Sequence, residues 1–231
     1  MSPLEKNLRD IAGQFSPVAL AHSLQAEDMV LTDIIARAGL PIELFVLDTG
    51  RLHADSLELL DEIRRHYSID VRVHAPDAGA VSEYLRRHGR DAFYGSVELR
   101  KRCCEIRKVE PLARALAGKR AWITGQRRAQ SASRGQLAER EFDATHALEK
   151  FNPLAAWTET DVWDYLRAER VPYNRLYDQG YRSIGCAPCT RPVTPGEDLR
   201  AGRWWWEGEA QKECGLHITP DGRVVRAKEP A

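Results

Sequence analysis

The most specific chemistry in this 231-residue sequence is carried by five cysteines. Cys103 and Cys104 are adjacent, and Cys186 and Cys189 form a CAPC motif whose two-residue gap allows both thiolates to share one metal centre. Four thiolates fit either zinc or an iron–sulfur cluster. Adjacent ligands point in different directions along the backbone, which strains a compact zinc site and favours a larger 4Fe-4S cluster. Two alternatives stay open, namely buried apolar cysteines beside an unrelated CxxC, and a thioredoxin-like redox pair.

The fifth cysteine, Cys214 in the string KECGLH, is a candidate nucleophile. Its cationic neighbours Lys212 and His217 favour the thiolate, which is the form that attacks electrophiles, whereas Glu213 opposes it. A position near the C-terminus suits a nucleophile that must meet first a substrate and then a second protein. An odd number of cysteines behind a charged N-terminus argues against a disulfide framework.

Three loops carry residue types that bind anions, and each follows a predicted strand. They are SLQAED (23–28), LDTGRLH (47–53) and TGQRRAQSASR (124–134). A turn that opens into a helix presents backbone N–H groups and the positive end of the helix dipole, which suits a phosphate or sulfate group. Arg127 and Arg128 add cationic donors that could reach the same anion. The alternative for these arginines is a solvated basic loop.

The elements that position these residues follow an alternating pattern. Short β-branched runs alternate with longer segments of helical apolar spacing, which predicts an α/β fold with a parallel sheet. The predicted strands are residues 17–23, 42–48, 69–75 and 120–125. Helices are predicted over 28–39 with Gly39 as a left-handed cap, over 54–66, and from Thr158, where TETD forms a capping box. Ligands of open parallel sheets bind beyond the carboxyl ends of the strands, so we expect the three loops to lie together.

The last part of the sequence changes character. From Pro172 onward the periodicity fades, and residues from Thr190 to Ala231 are predicted to form a long loop or mobile tail. Long segments without regular structure in compact proteins are commonly functional or disordered. Because this segment carries a cysteine, three consecutive tryptophans and two closely spaced arginines, function is the better interpretation.

Composition excludes several classes of protein. The 34 Lys and Arg residues balance the 34 Asp and Glu residues, so the chain has no global field to hold a nucleic-acid backbone or an anionic membrane. No apolar run approaches the roughly 18 residues that cross a bilayer, and the charged start MSPLEKNLRD is unlike a secretory signal. We expect a cytoplasmic protein that binds neither nucleic acid nor membrane. The oligomeric state, including a homo-oligomer, stays open.

Eight ordered strings between Ser23 and His217 resemble the assimilatory adenylyl-sulfate (APS) reductase family. They are SLQAED, LDTGRLH, RKRCCEIRKVEPL, ITGQRRAQSASR, FNPLAAWTETDVWDYL, VPYNRLYDQGYRSIGCAPCT, RAGRWWWE and KECGLH. The resemblance implies an α/β fold of the adenine-nucleotide alpha-hydrolase-like (PP-loop) type. It also implies the reduction of adenosine 5'-phosphosulfate (APS) to sulfite and AMP in sulfate assimilation and cysteine biosynthesis. The implied electron donor is thioredoxin, with glutaredoxin as a second candidate.

The resemblance also implies roles for named residues. Cys214 matches a nucleophile that attacks the sulfur of APS and holds the sulfonate as a thiosulfonate, with His217 assisting. Lys108 matches a lysine that lies between a metal cluster and the substrate. The implied ligands of one structural 4Fe-4S cluster are Cys103, Cys104, Cys186 and Cys189. Arg200 and Arg203 match arginines that bind the phosphosulfate group. The expected substrate site comprises Ser23, Asp48, Thr49, Lys108, Gly125, Arg127, Arg128, Arg200 and Arg203.

On this basis residues 1–190 are expected to form a nucleotide-binding α/β domain that carries the cluster, and residues 191–231 a catalytic tail. Two positions depart from the family pattern, because Gln25 stands where the family usually has glycine and His22 where it commonly has serine. Glutamine reaches the positive φ angles of a phosphate loop only at a cost. We therefore expect the phosphosulfate to depend more on the arginines.

The sequence leaves three other functions to consider. Reductases of the 3'-phosphorylated nucleotide PAPS resemble the chain in the nucleophile motif but lack both cysteine pairs, so the pairs favour APS. A zinc-stabilised enzyme that adenylates its substrate and uses Cys214 for sulfur transfer needs a glycine-rich pyrophosphate loop, and SLQAED contains no glycine. A non-catalytic iron–sulfur redox sensor has no need for Cys214.

Overall fold

The computed structural model describes residues 1–131 and 134–208, which fold into a six-stranded sheet with helices on both faces. The helices are α1 (Pro3–Phe15), α2 (Ala26–Arg37), α3 (Ala54–Tyr67), α4 (Ala78–His88), α5 (Val97–Cys104), α6 (Glu110–Leu116) and α7 (Glu159–Glu169). The strands are β1 (Val18–His22), β2 (Ile42–Leu47), β3 (Val71–His74), β4 (Ala121–Ile123), β5 (Arg140–Asp143) and β6 (Leu148–Phe151). A π-helical turn covers Glu105–Val109, and short 3-10 helices cover Ala92–Tyr94, Arg128–Gln130, Arg175–Gln179 and Ala187–Cys189.

The strand order is β3-β2-β1-β4-β6-β5, and all neighbours are parallel except the β5–β6 pair at one edge. β1 lies between β2 and β4, so the chain winds away from β1 in both directions. Such a reversal opens a crevice at the carboxyl ends of the two central strands, where open α/β sheets bind ligands. The predicted α/β fold with a parallel sheet is confirmed.

Successive residues of β1 supply the hydrophobic core on opposite faces of the sheet, as the alternation of a strand requires. Val18 and Leu20 pack into the larger cluster, together with apolar side chains of α1, α2, α3 and α7. Ala19 packs into the smaller cluster with Trp122 and with Leu112 of α6. Among the described residues, no helix combines the length and the apolarity of a membrane-spanning segment.

The predicted strands and helices lie within two residues of the observed ones. Gly39 has a φ of +58° directly after α2, and Thr158 and Asp161 form the predicted capping box of α7. β5 and β6 were not predicted, because charged residues interrupt both strands. Glu149 of β6 forms an ion pair with Arg140 of β5. From the sequence pattern alone, these charged residues are typical of a loop.

Residues from Thr190 to Gly208 form turns that return to the cysteine-bearing part of the fold. Thr190 and Arg203 form an isolated antiparallel bridge, and the N–H of Arg191 donates to the carbonyl oxygen of Gly202 at 3.0 Å. The predicted nucleophile Cys214 and its neighbour His217 lie outside the described residues.

Candidate functional site

A cleft of about 210 Å³ lies at the carboxyl ends of β1 and β4, where the strand order reverses. Two predicted substrate residues do not line it. Asp48 accepts a hydrogen bond from the N–H of Gly50, and Arg128 donates to the carbonyl oxygen of Leu137. The cleft does contain most of the predicted residues, which are Ser23, Thr49, Lys108, Gly125, Arg127, Arg200 and Arg203.

The buried carboxylate of Asp28 joins the two loops at the base of this cleft. It accepts hydrogen bonds from the N–H of Ser23 at 2.7 Å, from the Ser23 hydroxyl and from the N–H of Gly125 at 3.1 Å. Burial raises the pKa of Asp28 to about 7 in spite of these hydrogen bonds. A Cβ at position 125 would clash with the Asp28 carboxylate, so this close approach of the two loops requires glycine.

Other backbone donors of the loop after β1 are also occupied by protein groups. The N–H of Leu24 donates to Nδ1 of His22 at 3.0 Å, and the N–H of Ala26 donates to the hydroxyl of Tyr177 at 3.1 Å. Burial lowers the pKa of His22 to about 3, so its ring is neutral and Nδ1 can accept. This loop therefore commits donors to its own structure, which leaves side-chain cations as the donors available to an anion in the cleft.

Gln25 connects the loop after β1 to the segment before Cys186. Its Oε1 accepts a hydrogen bond from the N–H of Ile184 at 2.9 Å, and its Nε2 donates to the hydroxyl of Ser23 at 3.0 Å. A glycine at position 25 could form neither contact. The departure from the family pattern at this position thus adds a tie between two walls of the cleft.

Arg203 is a buried cation held against the same segment. Its Nη1 donates to the carbonyl oxygen of Ile184 at 2.9 Å, and its guanidinium lies 4.6 Å from the ring centroid of Trp204. A Cβ at Gly185 would clash with the guanidinium, so the contact requires glycine there. The Nε–H of Arg203 is buried and has no hydrogen-bond partner among the described residues. This unpaired donor is a group that an anionic ligand can satisfy.

Arg127 differs from Arg203 because its charge is already paired. Its Nε and Nη2 lie 2.9 and 2.7 Å from Oε1 of Glu27, which also accepts from Nε2 of Gln130 at 3.0 Å. Both partners of the ion pair are buried. The pair fixes the loop after β4 on the first turn of α2, so Arg127 shapes the cleft and adds no net charge to it.

The four predicted metal ligands line one small cavity of about 20 Å³. Cys103 and Cys104 end α5, while Cys186 precedes the 3-10 helix Ala187–Cys189 and Cys189 ends it. None of the four forms a disulfide. Among the residues that the structure describes, no three His, Cys, Asp or Glu side chains are arranged to hold a single metal ion.

The electrostatic surroundings of these thiols fit an anionic metal centre bound by thiolates. Burial and the neighbouring Cys186 raise the pKa of Cys189 to about 12, while the positive charges of Lys108 and Arg203 oppose this shift. Burial likewise raises the pKa of Cys103, against the positive charge of Arg107. Soft sulfur donors that are costly to ionise alone are stabilised as thiolates by iron or zinc. The donor set therefore fits such a group.

Lys108 lines both the cleft and the cysteine cavity. It lies in the π-helical turn Glu105–Val109 that directly follows Cys104. π-helical turns within α-helices are frequent at functional sites. The turn places the cation of Lys108 at the border of the two cavities.

Several charged residues of this region were not identified from the sequence. Arg107 donates from Nη1 to the carbonyl oxygen of Thr49 at 2.6 Å, and the Thr49 hydroxyl lies 3.3 Å from the sulfur of Cys186. Arg100, one turn before Cys104, is fully buried and paired with Glu207. The only sequence signal was the basic string RKRCCEIRK around the cysteine pair, which does not separate buried from solvated charges.

Similar proteins were found among characterised sequences. The chain is 55% identical over 210 residues to an adenosine 5'-phosphosulfate reductase of Allochromatium vinosum, a match that covers 91% of this chain and 82% of that protein. It is 55% identical over 216 residues to the adenosine 5'-phosphosulfate reductase of Burkholderia cepacia, with 94% and 86% covered.

Solved structures agree on the fold. A phosphoadenylyl-sulfate (PAPS) reductase from Candida auris in complex with phosphate superposes with a TM-score of 0.70 at 26% identity, covering 82% of this chain and 90% of that one. The FMN adenylyltransferase of Candida glabrata has a TM-score of 0.56 at 15% identity, covering 94% and 78%, which relates the two folds only. The phosphoadenosine phosphosulfate reductase domain family matches this chain over residues 17–192. The chain belongs to this family of sulfur-group oxidoreductases.

Proposed function

We propose that this protein reduces APS to sulfite and AMP through a thiosulfonate on Cys214, with reduced thioredoxin as electron donor, in sulfate assimilation and cysteine biosynthesis. The observation that carries the proposal is the position of Lys108, which lines both the crevice of the sheet and the cavity of the cysteine pairs. An anionic substrate in the crevice and an anionic thiolate centre would share this cation. The names of the two relatives at 55% identity support APS as the substrate.

Both cationic and apolar side chains line the cleft, as an adenine nucleotide with a phosphosulfate requires. Arg203 offers a buried donor, and Lys108 and Arg200 line the same cleft. Preorganised cations in a water-poor site stabilise developing negative charge more strongly than they would in water. We assign to these three residues the neutralisation of the phosphosulfate as the thiolate approaches it.

We assign the cysteine cavity to one 4Fe-4S cluster held by Cys103, Cys104, Cys186 and Cys189. When bound, the cluster would supply structural restraint and an electrostatic field rather than electrons, because two-thiol chemistry needs no one-electron carrier. The chain's own contribution is the ring of cations around the thiols, including Arg107 and Lys108.

The proposed chemistry consists of three thiol steps, and its nucleophile is assigned from the sequence. The Cys214 thiolate attacks the sulfate sulfur, the bond from that sulfur to the phosphate oxygen breaks, and AMP leaves with the bonding electrons. One thioredoxin thiolate then attacks the sulfur of Cys214, and sulfite leaves with the electron pair of the sulfur–sulfur bond. The second thioredoxin thiol attacks the mixed disulfide and restores Cys214. Thioredoxin is oxidised to a disulfide as the substrate sulfur gains two electrons.

Turnover of the anaerobically purified protein with APS or PAPS and reduced thioredoxin tests this proposal. We expect sulfite and AMP from APS, a kcat/KM for APS at least about tenfold above that for PAPS, and no turnover by Cys214→Ser. A preference for PAPS would replace APS by the 3'-phosphorylated substrate. Turnover by Cys214→Ser would overturn the thiosulfonate route. Because thioredoxin can deliver electrons only where its dithiol stays reduced, we place the reaction in the cytoplasm.

A further inference from the structure

A buried ion pair connects the cysteine-bearing helix to the last described turn of the chain. Nε and Nη2 of Arg100 donate to the two carboxylate oxygens of Glu207 at 2.9 and 2.8 Å. The side chains are 0% and 3% exposed. Arg100 lies in α5, one turn before Cys104, whereas Glu207 is 107 residues away in sequence. The pair therefore joins the cysteine site to the start of the C-terminal segment.

Trp204 packs inside this junction. Its ring lies 4.6 Å from the Arg100 guanidinium and 4.6 Å from the Arg203 guanidinium. The backbone N–H of Trp204 donates to the carbonyl oxygen of Cys189 at 3.2 Å, and the side chain packs against Cys104. The turn that contains Trp204 and Glu207 thus contacts both cysteine-bearing segments and the predicted substrate arginine.

The energetics of this ion pair indicate that it fixes the position of the Glu207 turn more than it raises the free energy of unfolding. Burying two charges costs so much desolvation that an apolar pair of similar size is often as stable. A buried bidentate pair does fix geometry, because its two hydrogen bonds form in one orientation only. Cys214 lies seven residues beyond Glu207 in sequence, so the pair anchors the chain shortly before the proposed nucleophile.

We propose that the Arg100–Glu207 pair is a latch. Through this pair, occupancy of the cysteine site by its metal centre determines the position of Glu207, from which the segment that carries Cys214 continues. Arg100 and Glu207 are positioning residues and do not touch the substrate. The proposal rests on the proposed function for the role of Cys214. The latch assigns the metal centre a function that requires no electron transfer, because α5 carries two of the cysteines and also Arg100.

Glu207→Gln tests the latch, with Glu197→Gln as the matched control. Glu197 forms the same kind of bidentate pair with Arg191, at 2.8 and 2.9 Å, but within the C-terminal segment itself. The first readout is hydrogen–deuterium exchange of residues 203–207 in iron-loaded and iron-stripped protein. We expect stripping to raise exchange in the wild type at least about tenfold, and loaded Glu207→Gln to exchange as fast as stripped wild type. Loaded Glu197→Gln should match the loaded wild type.

The second readout is the single-turnover rate of Cys214 sulfonation by APS, measured beside AMP affinity in the same loaded variants. The latch predicts at least a tenfold slower sulfonation in Glu207→Gln with AMP affinity changed less than twofold. Equal losses in both quantities, or exchange at residues 203–207 that is the same in loaded and stripped wild type, would overturn the latch. If wild type forms no adduct while exchange still responds to iron and to Glu207→Gln, the proposed function fails and the latch stands.

A second variant guards against misfolding of Glu207→Gln. Arg100→Met combined with Glu207→Met removes both charges together and leaves neither one buried alone, so it is expected to fold. It cannot form the bidentate geometry, and the latch predicts the same fast exchange and slow sulfonation. Wild-type values of both quantities in a folded double variant would contradict the proposal.

Discussion

The carboxylate of Asp28 accepts a hydrogen bond from the backbone N–H of Gly125 at 3.1 Å, which joins the first turn of α2 to the loop after β4. The same carboxylate binds the N–H and the hydroxyl of Ser23. A protein carboxylate therefore occupies donors at the point where the sequence alone suggested a phosphate cradle. The anion-binding role shifts from backbone to side chains, and the cleft acquires a buried titratable group.

Asp28→Asn is expected to change how stability depends on pH. The folded-state pKa of about 7 lies above the ordinary value of 3.8, so the native state binds the proton more tightly than the unfolded state. The stability contributed by Asp28 is complete below about pH 3.8 and is lost as pH rises through 7. The unfolding free energy of wild type minus that of Asp28→Asn should fall by about 1.4 kcal/mol per pH unit between pH 5 and 6.5, then level off. Denaturant titrations that give a constant difference across this range would show that Asp28 stays ionised.

Gln25→Met is expected to weaken APS binding about five- to tenfold, because the buried wall of the cleft loses the hydrogen bond from Ile184 to Gln25. Equilibrium binding in a Cys214→Ser background measures this without turnover. Gln179→Met is the control, since it removes an exposed amide whose hydrogen bond among the described residues goes to Asp55. Unchanged APS affinity in Gln25→Met would mean that the position of Arg203 on Ile184 does not depend on the hydrogen bond between Ile184 and Gln25.

Gly185→Ala is expected to mimic the loss of Arg203. The added Cβ has no room beside the guanidinium, so the arginine must leave its position on Ile184. APS affinity should fall nearly as far as in Arg203→Ala, and the double variant should lose little more, because both changes remove one interaction. Gly13→Ala, whose Cβ meets open space in α1, is the control. Additive losses in the double variant would argue against this reading of Gly185.

Replacing any one of Cys103, Cys104, Cys186 or Cys189 by serine is expected to bleach a brown protein and abolish its activity, because all four thiols line one cavity. Iron and sulfide contents, with the visible spectrum, measure the effect. Cys214→Ser should keep the colour and lose activity. Full activity in a metal-free preparation would contradict the assignment of the cysteine cavity.

The sequence predicted the central sheet well, because β1, β2 and β4 are mostly apolar runs that are largely buried. It missed β5 and β6, whose charged side chains include cross-strand pairs such as Arg140 with Glu149. Such pairs exist only once the register is set, so no local pattern indicates them.

The candidate site was predicted unevenly for a related reason. The spacing of Cys186 and Cys189 is local and identified those thiols, whereas the pairing of Arg127 with Glu27 spans 100 residues. The sequence therefore counted Arg127 as a cation for the substrate when its charge is already neutralised. Arg100 was overlooked for the same reason, because its partner Glu207 lies in another segment.

The central claim is that Cys214 takes a sulfonate from APS. Its most direct test is the intact mass of the anaerobically purified protein after mixing with APS in the absence of thioredoxin. We expect a mass gain of one sulfonate that is absent in Cys214→Ser, weak or absent with PAPS, and lost when reduced thioredoxin is added. No adduct on a wild-type protein that retains its iron, or an adduct that persists in Cys214→Ser, would contradict it.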